Sequence, residues 1–81
     1  MQTTNWSPVF SPWRHGGWYV NNVRYPSGAC GCVSRNYPDR KWRIVCDERT
    51  RKYTYPTRDA AARAEYRIAE AFRAAAGSAN D

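Results

Sequence analysis

The sequence predicts an α+β fold, with a β-hairpin and a three-stranded antiparallel sheet packed on one C-terminal helix. Three observations predict it. Residues 17–55 hold short runs of alternating apolar and polar residues, separated by turn-forming clusters. Residues 58–76 are an almost unbroken series of Ala, Arg and Glu, which are strong helix formers. The chain has 81 residues, which suits one small domain with a thin core.

The elements follow in order. Residues 1–16 carry two Ser-Pro steps, Ser7-Pro8 and Ser11-Pro12, which oppose helix. They read as an irregular arm whose Trp6, Phe10 and Trp13 lie over the core. The domain proper is read as residues 17–76. "GWYVNNVRY" (17–25) reads as a tight hairpin, because Asn21-Asn22 can adopt the positive φ angles of a two-residue turn. "ACGCVSR" (29–35) is a strand, "NYPD" (36–39) a turn, "RKWRIVC" (40–46) a second strand and "RKYTY" (51–55) a third, ended by Pro56. Thr57 is placed to cap a helix and Asp59 to sit in its first turn, where the helix dipole favours a carboxylate. Ala61, Ala64, Ile68, Ala71, Phe72 and Ala75 form its apolar stripe. Gly77 should stop it, leaving 77–81 as a flexible tail.

The pairing of the first two meander strands decides which side chains are buried, because a one-residue slip reverses every face. Setting Cys30 opposite Cys46 gathers Cys32 with Ile44 under the helix and leaves Arg35, Lys41 and Arg43 together outside. The slipped alternative sets Val33 against Ile44. The first register separates charge from core more cleanly and is the one expected.

Composition narrows function. The formal net charge is +6 and the sequence pI about 9.7, which favours a polyanionic partner. No apolar run reaches transmembrane length. The N-terminus lacks the basic start and apolar core of a signal peptide. With three cysteines, an odd number, these features favour a reducing cytoplasm and free thiols.

Chemistry is sparsely signalled. His15, Cys30, Cys32 and Cys46 are the right residue types for zinc. Cys30 and Cys32 stand at C-x-C rather than C-x-x-C spacing, and no second knuckle follows. Packed thiols are therefore expected, with no metal and no Cys30–Cys46 disulfide. No nucleophile–base pair stands at a diagnostic spacing and no glycine loop could cradle phosphate. Neither an enzyme nor a cofactor is expected. The informative feature is alternation of basic with aromatic residues: Arg35, Arg40, Lys41, Arg43, Arg49, Arg51, Lys52 and Tyr53. Arginine and lysine neutralise phosphates, and tyrosines can stack on bases.

Gly31-Cys32-Val33, Lys41-Trp42-Arg43-Ile44 and Thr54-Tyr55-Pro56-Thr57, followed by an Ala-rich helix from Asp59, resemble the DNA-binding domain of plant ethylene-response factors. They are also similar to small domains of phage and mobile-element integrases and homing nucleases. The resemblance covers about residues 31–73. It implies a sheet laid in the major groove of double-stranded DNA, with Arg35, Arg43 and Arg51 as contacts and Trp42 and Ile44 as core. The expectation is a small DNA-binding domain using its outer sheet face. The rival expectation is a phage or mobile-element module that binds and inhibits a host protein.

Overall fold

In a computed structural model, which describes residues 6–47 and 52–79 (side chains as far as 75), four strands and one helix follow along the chain. They are β1 (Phe10–Pro12), β2 (Gly17–Arg24), β3 (Cys30–Ser34), β4 (Arg43–Ile44) and α1 (Arg58–Ala79). The strands form one antiparallel sheet in sequential order, and α1 packs across β2, β3 and β4. The expected α+β class, a sheet with one C-terminal helix, is what the chain adopts.

The helix faces the alternate residues Trp18 and Val20 of β2, Gly31 and Val33 of β3, and Ile44 of β4. Val20, Val23, Val33 and Ile44 are buried against Ala61, Ala62, Ala64 and Ala69. Each of the four larger side chains contributes about 1.5–3 kcal/mol by leaving water. The alanines let the helix lie close. Gly31 marks the tightest approach: a Cβ there would stand 2.8 Å from Val23 Cβ and 2.9 Å from Glu65 Oε1.

Four details differ from the sequence reading. First, residues 17–24 are one strand. Asn21 and Asn22 do not turn the chain but tie it to the arm. Asn21 N–H donates to Val9 O, Asn22 Nδ2 donates to Ser7 O, and Asn22 Oδ1 accepts from Val9 N–H. The strand is bulged instead: β2 runs from Val20 to Arg24 while β3 steps from Gly31 to Cys30. Both Val20 and Val23 thereby reach the core.

Second, the arm is not irregular throughout. Phe10–Pro12 add an edge strand to β2, a place that proline tolerates. The arm's aromatics do cover the helix–sheet seam. Trp6 stacks on Tyr66 at 4.3 Å, and the Arg58 guanidinium lies 4.0 and 4.5 Å from the ring centres of Phe10 and Trp18.

Third, the register is the slipped one, with Val33 opposite Ile44 and Ser34 opposite Arg43. Burying Val33 outweighs the cleaner separation of charge. Cys32 therefore lies on the sheet face away from the helix, buried there beside its cross-strand partner Tyr19. In place of a third meander strand over 51–55, the described residues have a single bridge, Trp42 to Tyr55.

Fourth, the helix continues through Gly77 to Ala79. Thr57 caps it as expected, Oγ1 accepting from Ala60 N–H at 3.0 Å. At 22 residues it extends about 33 Å and outruns the sheet. Ala71, Phe72 and Ala75 of the expected stripe are consequently exposed.

Candidate nucleic-acid interface

Two turns lie side by side at one end of the sheet. Pro12 and Gly17 close the β1–β2 turn, where Trp13 N–H donates to Gly17 O and Gly17 N–H to Arg14 O. His15 and Gly16 take positive φ there, +37° and +78°. This Arg-His-Gly-Gly stretch holds the reversal that the sequence reading placed at Asn21-Asn22. The second turn joins β3 to β4. Asn36 N–H donates to Ser34 Oγ, Tyr37 N–H to Arg35 O, and Arg40 N–H to Tyr37 O, with Arg40 at φ +59°. Arg35 N–H reaches Gly16 O at 3.5 Å and links the turns.

This local folding gathers charge. Arg14, Arg35, Arg40 and Lys41 are all exposed at this end. Arg14 lies over the Trp13 ring at 5.1 Å, and Arg35 over the Trp42 ring at 5.6 Å. Two adjoining concavities share Arg35 and Arg40. One, of about 390 Å³, is lined also by Lys41, Trp42, Thr54, Tyr55 and Pro56. The other, of about 310 Å³, is completed by His15, Gly16 and Asn36. Among the described residues no carboxylate lines either one. Cations therefore dominate the lining of both, and the nearby Asp39 carboxylate is paired with Arg43.

Arg43 is placed differently from Arg35 and Lys41. It lies on the sheet face away from the helix, opposite Ser34. Its guanidinium makes two bonds to Asp39, Nη1 to Oδ1 at 2.7 Å and Nη2 to Oδ2 at 2.8 Å, and lies 4.8 Å over the Tyr37 ring. Only 11% of its side chain is exposed. Those bonds, with a further one from Lys41 N–H, hold the Asp39 carboxyl well below the usual carboxylate range. Arg43 thus braces the β3–β4 turn that presents Arg35, Arg40 and Lys41.

Lys52 and Tyr53 are exposed on the segment leading to the helix, with the ammonium 5.8 Å over the ring. Arg49 and Arg51 lie outside the described residues. His15 sits at the turn end of the sheet, whereas Cys30 and Cys46 lie towards the other. Cys46 Sγ is 3.8 Å from Cys30 O. Among the described residues no three His, Cys, Asp or Glu side chains are placed to hold a metal ion, and no helix is long and apolar enough to cross a membrane.

Sequence reasoning passed over Arg14 and weighed His15 as a zinc ligand with the cysteines, not as part of a basic turn. It also passed over Glu65. This residue lies in the helix stripe, fully buried. Its Oε1 accepts from Cys32 N–H at 2.9 Å and its Oε2 from Tyr25 Oη at 2.6 Å. The ladder explains the first bond. Val45 N–H still donates to Cys32 O, but β4 ends at Ile44 and the carboxylate takes the Cys32 amide. Burial pushes the Glu65 pKa up to about 7 against the pull of both donors.

No protein family, curated protein or solved structure matches this chain. The functional reading therefore rests on the geometry of the site and on the quoted motifs.

Proposed function

We propose that this protein is a small, non-enzymatic nucleic-acid-binding module whose phosphate contacts come from the basic end of its sheet. One observation carries the reading: Arg35 and Arg40 are shared by two adjoining concavities that, among the described residues, no carboxylate lines. Lys41 and Arg14 extend the patch. Lysine and arginine in such a cluster displace counterions from phosphates, so affinity falls steeply with salt. The DNA contact expected of Arg43 passes to its neighbours, because Arg43 is held by Asp39. The described carboxylate most shifted by burial, Glu65, is sealed in the core by two donors and suits structure better than catalysis.

The test is a binding titration of labelled DNA and RNA across salt concentrations. Arg35→Ala with Arg40→Ala should weaken binding at least tenfold at low salt and flatten the slope of log K against log salt by about 2. Arg67→Ala, on an exposed part of the helix, should change neither. Failure of the native protein to bind any nucleic acid at low salt would overturn the proposal.

A second reading, a module that captures a protein partner, draws on the opposite end of the molecule. There Phe72 is 55% exposed beside a concavity of about 440 Å³ lined by Tyr25, Pro26, Ser27, Ala29 and Cys46. Absence of nucleic-acid binding would transfer the weight to this surface.

A further inference from the structure

Phosphate contacts alone do not account for the larger basic concavity. Its wall is aromatic and apolar. Trp42 and Tyr55 are held side by side by the bridge between them, with Tyr55 N–H donating to Trp42 O at 2.9 Å, and Pro56 continues the wall. Arg35, Arg40 and Lys41 form the rim. A volume of about 390 Å³ stands near the lower end of ordinary ligand pockets, which run about 300–1,000 Å³. It suits one nucleotide rather than a larger ligand.

A duplex keeps its base faces inside the stack. An unpaired base presents a π-face that aromatic side chains and guanidinium planes can cover. Resting on the nucleic-acid reading above, we infer that this concavity takes one unpaired base of a single strand. The base lies against Trp42, Tyr55 and Pro56, and Arg35 and Arg40 hold the phosphates on either side. The strand continues into the adjoining concavity, where His15 and Asn36 offer polar contacts to the next nucleotide. Arg35 already lies over the Trp42 ring at 5.6 Å, so it can cover a base that enters beside it. Stacking is sequence-tolerant because every base has a π-face, and weak base preference follows.

The experiment uses the native chain with two fluorescent probes of equal length, an oligothymidylate and a blunt duplex, at low salt. The single strand should bind at least about tenfold tighter, in line with the stacking of one or two bases. Ultraviolet cross-linking of an iodouracil-substituted strand, read by mass spectrometry, should mark Trp42 or Tyr55. This second measurement matters because Trp42→Ala could disturb the core against which Trp42 packs. Equal or tighter duplex binding would overturn the inference and leave the nucleic-acid reading standing. Cross-links confined to Trp13, Tyr19 or Tyr53 would also overturn it. No binding of either probe would remove both.

Discussion

Replacing Glu65 by Gln tests how the core is held. The carboxyl is buried in both of its contacts, to Cys32 N–H and Tyr25 Oη. Burial raises its pKa from the ordinary 4.5 to about 7, with Asp47 adding a little repulsion. Between those two values the folded chain keeps a proton that the unfolded chain has released. Stability therefore falls as pH rises from about 4.5 to 7 and levels off above. At 1.36 kcal/mol per pH unit the loss comes to about 3 kcal/mol. That is a large share of the stability of so small a domain, about 5 kcal/mol or less. Glutamine keeps the size and an acceptor for the Cys32 amide, and it carries no charge. The assay is urea denaturation of both proteins at pH 5 and pH 8. The native chain should lose about 2.5 kcal/mol across this interval relative to Glu65→Gln, and the variant should be the more stable at pH 8. Parallel pH dependence in the two proteins would refute the reasoning, because the slope would then belong to other groups.

Two further outcomes follow from the packing. Gly31→Ala should cost about 1–3 kcal/mol, since its Cβ meets Val23 Cβ at 2.8 Å and a side-chain carbon so close to the backbone cannot swing aside; an unchanged urea midpoint would contradict this. In the folded protein a thiol reagent should modify Cys46 first, because it is exposed, and Cys32 only on unfolding, because it is buried and its thiol is pushed up to about 12 by burial and neighbouring Cys46 and Glu65. Mass spectrometry after brief labelling checks the order, and equal rates would place Cys32 at the surface.

The sequence by itself determined the elements whose signals are local. The helix was legible because Thr57, Asp59 and the following Ala-rich run each favour helix within a few residues of chain. The turn at 36–39 was legible from its proline and aspartate. The basic residues around that turn were legible as a cluster, although not how the fold uses each of them. Arg35, Arg40 and Lys41 are presented outwards, whereas Arg43 is held by Asp39 and Tyr37. Only the fold could distinguish them, because that pairing depends on how the turn closes.

The rest was decided by tertiary contact. Asn21-Asn22 has the chemistry of a turn, yet Ser7 and Val9 of the arm offered them better partners, and the chain reversed at His15-Gly16 instead. The strand register turned on a balance between burying Val33 and grouping the cysteines with the core, and the helix settled it by leaving room for no side chain at Gly31. Glu65 was passed over, because nothing local marks a helical glutamate for burial. It is buried because β4 ends one residue too early to satisfy the Cys32 amide. A local pattern fixes what a segment can form. Which face it buries depends on hydrogen bonds and volumes supplied by residues far away in the chain.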